Sequence, residues 1–226
     1  MQLRTIGISY NTVFIGNPGV GKSTWLNALL GQCKFKSGVS LGTGMTTICQ
    51  VQEDVEGNTY IDTPGLSDIN FRKQAAQEIT KALSKGGTFR IFFWITLEAG
   101  RIRLDDKITM KLILEAAPIK TNQYSIVINK VPQNTIDDIT NNEMNVFRDY
   151  LLEGLPYPTN SIYFLAFDMD LLDEDNRVPK LSNGFRNFVD YAPTLPIDNS
   201  EVQEIKESQY EIYRQEMENK IKQEEL

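Results

Sequence analysis

The stretch Gly16-Asn17-Pro18-Gly19-Val20-Gly21-Lys22-Ser23 fits the spacing G-x-x-x-x-G-K-[ST]. Each residue type in it has a chemical task. Glycines let a backbone close around a phosphate, and consecutive N–H groups with a helix N-terminus supply positive potential. Lys22 can reach the β- and γ-phosphates of a nucleotide, and the Ser23 hydroxyl can ligate Mg²⁺. Thr24 follows on the same turn. With average residue usage, a chain of 226 residues meets this pattern by accident about one time in a hundred. The competing reading is a glycine-rich turn with one surface lysine. Against it, the loop follows a predicted strand and opens a predicted helix.

Asp62-Thr63-Pro64-Gly65 ends a later strand. An acid there can hold Mg²⁺ through water, and the Gly65 N–H can sense a γ-phosphate, so the loop beyond it can change shape on hydrolysis. Alone, D-T-P-G is a good turn sequence. After a phosphate loop it separates a GTPase-like switch from a generic phosphate-loop kinase. Between the two motifs, Thr46 is the preferred switch hydroxyl for Mg²⁺; the other reading makes Thr46 and Thr47 ordinary strand starters. Small GTPases usually read guanine with [NT]-K-x-D. The corresponding run is Asn129-Lys130-Val131-Pro132. Pro132 has no side-chain acceptor, and Asp137 and Asp138 lie too far along to stand in. Lys130 is expected to lay its stem on the base and Asn129 to brace the phosphate loop. By this motif alone, guanine and adenine both stay open.

Such residues need strands that end at them and helices that start from them. Tyr10–Ile15 reads as a buried strand and Lys22–Leu30 as a helix stopped by Gly31. Lys36–Thr47, rich in Gly, Ser and Thr, reads as a mobile loop. Ile48–Val55 and Thr59–Ile61 form an antiparallel pair around Glu56-Gly57-Asn58. Helices are predicted over Phe71–Ser84, Asp105–Ala117, Asn142–Glu153 and Asn183–Tyr191, and strands over Arg90–Leu97, Tyr124–Ile128 and Ser161–Phe167. The alternation implies an α/β fold with a mostly parallel sheet covered on both faces. Pro193 and Pro196 mark a boundary between a nucleotide domain over residues 1–196 and a charged C-terminal helix over 197–226. That helix carries a thin apolar stripe of Val202, Ile205, Ile212, Met217 and Ile221. It either packs on the domain or begins a longer coiled segment.

Composition excludes several classes. Lys plus Arg number 23 against 30 Asp plus Glu, a net charge of -7, which argues against a nucleic-acid partner. There is no histidine, so a His general base and His metal ligands are both excluded. Cys33 and Cys49 are too few for a disulfide framework; two buried free thiols are favoured over one bridge. Met1–Tyr10 lacks the apolar run of a secretory peptide, and Gln2 stands where myristoylation needs glycine. No apolar stretch approaches the ~18 residues of a membrane helix. The expectation is a cytoplasmic protein that meets a membrane only through regions absent from this chain.

Several segments together resemble the immunity-associated GTPases of the AIG/GIMAP type, relatives of the chloroplast-import (Toc) GTPases and septins. They are the phosphate loop, "LLGQCKFKSG", "GMTTICQVQ" with Thr46, "IDTPGLSD" and "LEAGRIRLDD". The last matches the family box L-x-x-G-R-[FY]-[ST]-x-[ED]-[ED] at Leu97, Gly100, Arg101, Asp105 and Asp106, and departs at Ile102 and Arg103. "FLAFDMD" looks like the family's late strand and base-side loop. The resemblance spans about Asn11 to Ala192. It implies a Ras-like core, GTP or GDP with Mg²⁺ as cofactors, and a nucleotide-dependent homodimer formed through the nucleotide face.

Leu66 follows Gly65, where fast-cycling small GTPases usually place a water-orienting Gln. A slow monomer is therefore expected. Arg101 is the best candidate for a catalytic arginine supplied in trans, with Arg103 behind it. The competing reading pairs these arginines with Asp105 or Asp106 and caps the next helix. Two functional readings follow: a slow GTPase stimulated by dimerisation, or a nucleotide-holding scaffold with little hydrolysis. An adenine-nucleotide protein is a third.

Overall fold

The computed structural model describes residues 9–37, 46–169 and 175–224. Most of the predicted mobile loop, residues 38–45, lies outside the described residues. So do residues 1–8, Asp170 at the end of "FLAFDMD", and the side chain of Ile221.

The elements run β1 (Asn11–Ile15), α1 (Lys22–Leu30), β2 (Gln50–Glu53), β3 (Thr59–Asp62), α2 (Arg72–Leu83), β4 (Gly87–Glu98), β5 (Arg101–Ile102), α3 (Leu104–Ala116), β6 (Ser125–Val131), α4 (Gln133–Asp138), α5 (Met144–Leu152), β7 (Ile162–Ala166), α6 (Asn183–Asp190), β8 (Leu195–Ile197) and α7 (Ser208–Glu224). The main sheet has the order β2-β3-β1-β4-β6-β7. β2 is antiparallel to β3, and the other neighbours in that order are parallel. Parallel strands joined by helices bury both faces, so their sequences run apolar without alternation. Along β1 and β4, successive residues serve opposite cores. Val13, Ile15, Ile91, Phe93 and Ile95 meet α2 and α3, while Phe14, Phe92 and Trp94 meet α1 and α6.

Five local expectations need correction. β4 starts at Gly87 rather than Arg90, because β8 pairs antiparallel with its first residues. That short strand tolerates Pro196 at the sheet margin. The boundary drawn between residues 196 and 197 falls inside it. The helical run expected from Asn142 begins instead at Gln133 and passes through a π turn at Ile139–Glu143. α4 buries none of its residues, so no apolar stripe betrays it. Cys33 is exposed rather than buried, and Cys49 is intermediate; both are free thiols. The C-terminal helix begins at Ser208, after a short turn at Asn199–Glu201 capped by Asp198. It packs on the domain: Tyr210 is fully buried and donates to Asp105 at 2.9 Å, and Tyr213 donates to Glu115 at 2.5 Å.

Candidate nucleotide site

β1 lies between β3 and β4, so its carboxyl end opens onto the ends of both. The chain leaves it at Gly16, where a Cβ would stand 2.2 Å from the Trp94 carbonyl oxygen of β4. Only glycine fits that approach. Gly19, Val20 and Gly21 carry the loop round to α1, whose first turn holds Lys22, Ser23 and Thr24. The Lys22 ammonium folds over the loop and donates to the carbonyls of Gly16 at 2.8 Å and Asn17 at 3.3 Å. Burial pushes its pKa down, while Asp62 and Asp106 hold it up. Gly65 packs directly on this loop: a Cβ there would meet Pro18 Cδ at 2.3 Å. Thr63 secures the same turn by donating its hydroxyl to the Phe14 carbonyl at 2.8 Å.

The three predicted metal-side residues converge. Ser23 Oγ donates to Asp62 Oδ2 at 2.5 Å, and Thr46 Oγ1 donates to the same oxygen at 3.2 Å. The other carboxylate oxygen, Oδ1, is buried with no partner. Burial raises the Asp62 pKa, opposed by Lys22 and the two hydroxyls. A buried carboxylate with a spare oxygen and two hydroxyls beside it is a hard-oxygen donor set. It suits Mg²⁺, which takes one or two protein oxygens and completes its shell with water and phosphate. No cluster of three His, Cys, Asp or Glu that would hold a metal alone occurs among the described residues.

On the base side, the β6–β7 register slips between Ile128 and Val131. Asn129 and Lys130 fall between these pairs and have no β7 partner, while Asn129 still pairs with Thr96 of β4. Asn129 Nδ2 donates to the Val20 carbonyl at 2.9 Å, the bracing role expected for it. Lys130 adopts φ 61° and donates its ammonium to the Gly19 carbonyl at 2.9 Å. A left-handed non-glycine residue stores on the order of 1–3 kcal/mol, which its surroundings must hold in place.

The family-like box forms a hairpin. Leu97 pairs with Ile102 and Glu98 with Arg101, leaving Ala99-Gly100 as a two-residue turn. Both have positive φ, 49° and 77°, as a type I′ turn requires. Arg101 is exposed beside this turn and makes no ion pair among the described residues. Arg101 does not make the alternative pairing with Asp105 or Asp106, whereas Arg103 stands at the N-cap of α3 with its charge acting on Asp106. Asp105 meets Tyr210 and Arg214 of α7, whereas Asp106 turns inward to Asn17 and the Thr96 amide.

Sequence reasoning missed two connections. Arg72 on α2 donates to the Leu66 carbonyl at 2.8 Å, pairs with Glu211 of α7 at 2.6 Å, and stacks on Tyr210. Asn17 is fully buried, and its amide ties three segments together: the phosphate loop, the stretch after Gly65 and α3. The only advance signal for either was a polar residue beside a motif. Leu66 itself is 1% exposed and belongs to the core.

The sequence model of the AIG1 family matches residues 10–163. Among solved structures, Toc33 from Arabidopsis thaliana in complex with GDP and Mg²⁺ gives a TM-score of 0.52 at 16% identity, covering 84% of this chain and 89% of that one. A structure from the chloroplast translocon components atToc33 and psToc159, for whose GTPase activity dimerization is important, gives 0.54 at 17% identity over 81% and 83% of the two chains. These neighbours share the α/β phosphate-loop GTPase fold predicted from the sequence. A small ribosomal subunit biogenesis GTPase RsgA of Streptococcus pneumoniae is 35% identical over 81 residues, 34% of this chain. The match spans 28% of that protein's length.

Proposed function

Because the chain belongs to the AIG1 family, we propose that it is a guanine-nucleotide switch protein that hydrolyses GTP slowly with Mg²⁺ and does so through nucleotide-dependent pairing of two copies. The observation that carries this reading is the convergence of Ser23 and Thr46 on the Asp62 carboxylate, one oxygen of which is buried and unpartnered. Bound there, Mg²⁺ supplies charge neutralisation at the β- and γ-phosphates. Lys22 exchanges its loop carbonyls for phosphate oxygens, and the loop amides orient the chain of phosphates. Gly65, in contact with Pro18, offers its N–H to the terminal phosphate. The neighbours with GDP and Mg²⁺, and with a GTPase activity that depends on dimerization, support the same reading.

Leu66 points into the core and the chain has no histidine, so a single copy holds no side chain of its own at that position to orient water. Charge brought from a second copy then decides the rate, and Arg101 on its exposed hairpin is the group for it. The same burial of Leu66 favours the second reading, a scaffold that holds nucleotide without cleaving it. Hydrolysis per molecule, measured on GTP-loaded protein across a wide concentration range, separates them. A rise with concentration supports the paired GTPase; a flat rate supports the scaffold.

A further inference from the structure

Asp106 is 1% exposed, yet its carboxylate is not spent on capping α3, in whose first turn it stands. Oδ1 accepts from Asn17 Nδ2 at 2.7 Å, and Oδ2 faces the Thr96 amide of β4 at 3.4 Å. Asn17 Oδ1 in turn accepts from the Ser67 amide and from the Thr109 hydroxyl, each at 3.1 Å. One buried acid thus reaches the phosphate loop, the segment after Gly65, the end of β4 and the first turns of α3. We propose that Asp106 is a positioning residue that holds the phosphate loop and the Gly65–Ser67 switch segment in one register, so that the protein distinguishes a nucleoside triphosphate from a diphosphate. The inference rests on the nucleotide-binding reading above and adds to it how the terminal phosphate is sensed.

The chemistry needs a carboxylate. Two donors face Asp106, and an ionised carboxylate accepts from both; an amide would offer one acceptor and turn an NH₂ toward the other donor. Retaining a charge in such a place is unfavourable by itself, since burial disfavours the ionised form. It lifts the Asp106 pKa to about 6, against the Asn17 bond, Arg103 and the Thr96 amide, and with Asp105 adding to the rise. Lys22 on α1 feels Asp106, so the charges around the acid are Arg103, Asp105 and Lys22. Asn17, Ser67, Thr96 and Thr109, which complete its surroundings, do not titrate. Protonation removes one acceptor and loosens Asn17. The Ser67 amide, two residues past the phosphate-sensing Gly65, then loses its fixed partner.

The test is a titration of the full chain with fluorescent GDP and with a non-hydrolysable GTP analogue, both with Mg²⁺, between pH 5.5 and 8. In wild-type protein the ratio of triphosphate to diphosphate affinity should fall about tenfold toward pH 5.5. Asp106→Asn should show the low ratio at every pH while its GDP affinity stays within about threefold of wild type. The phosphate's own ionisation near pH 6 acts on both proteins, so the difference between their profiles is the readout. An Asp106→Asn ratio equal to wild type at pH 7.5, or a wild-type pH profile in the variant, overturns the proposal. If Asp106→Asn does not fold, Asn17→Ser carries the same test: a difference from wild type that changes between pH 5.5 and 8 supports the link, and a flat difference, which is a wild-type profile in the variant, overturns it. Wild-type protein that binds neither nucleotide defeats the nucleotide reading itself, and Asp106 with it.

Discussion

The two ends of the site are built differently. At the phosphate end, Ser23 and Thr46 meet Asp62 within hydrogen-bond distance, and Lys22 folds onto the carbonyls of a loop clamped between Trp94 and Gly65. At the base end, Asn129 and Lys130 turn back to the phosphate loop, Pro132 offers no acceptor, and Phe167 and Met169 stand 41% and 66% exposed nearby in sequence to β7. The phosphate end depends on backbone geometry that a short spacing rule specifies. The base end depends on side chains arriving from separate loops, for which no local rule exists. The grip on phosphates should therefore be strong, and the discrimination between bases modest.

The largest loss is expected at Lys22. Lys22→Ala should weaken nucleotide binding by about a thousandfold with the melting temperature little changed, since one charge-assisted phosphate anchor contributes several kcal/mol. Retained affinity by fluorescent titration would remove the phosphate end's advantage altogether. Next in size is Arg101→Ala. It should abolish the rise of GTPase rate with protein concentration, a loss of about a hundredfold at high concentration. Mixing it with Lys22→Ala, which keeps its arginine, should restore the rate if Arg101 acts across the interface, provided that sedimentation shows the mixed pair to form. Chelating Mg²⁺ should raise the dissociation constant about tenfold, read by the same titration. At the base end, ATP should compete for the site about tenfold less well than GTP. Equal competition would assign the chain to the general phosphate binders. The smallest effect belongs to Lys130→Gly. It relieves a strained φ but loses the Gly19 contact, so affinity should move less than about threefold.

Stability against pH offers a separate check on Asp106. Its folded pKa, about 6, lies above that of an unfolded aspartate. The stability linked to this group is therefore present below about pH 4 and lost as pH rises through about 6. Asp106→Asn removes that loss, so denaturant melts should show the variant matching or exceeding wild type at neutral pH. A residue that lowers stability while ordering the site behaves as a functional one.

How far the sequence carried the reading follows from what its signals measure. β1, α1, β3 and the loop between them were legible because glycine spacing, apolar runs and a helix start coincide there. Adjacent residues Asp105 and Asp106 were legible only as an acidic pair in a first turn. On a helix they lie about 100° apart, so one meets α7 and the other meets Asn17, a distinction no spacing encodes. Arg72 reads as a surface cation on a helical face, and only tertiary packing brings Leu66, Tyr210 and Glu211 around it. β8 escaped because its pairing with β4 joins residues more than a hundred apart, and because Pro196 argues for a loop.

Gly16 passes against the Trp94 carbonyl, which sets one of the protein's indoles at the phosphate loop. The chain holds two tryptophans. Trp94 lies beneath the start of the phosphate loop, and Trp25, on α1, has its amide bonded to the Gly21 carbonyl at the loop's end. Both rings contact Phe185, and both indole N–H groups are buried without a partner. All of the protein's indole emission therefore originates within one aromatic cluster under a single loop. The untouched chain carries its own fluorophore for that loop, and ultraviolet excitation at the indole band will report its rearrangements with no label attached.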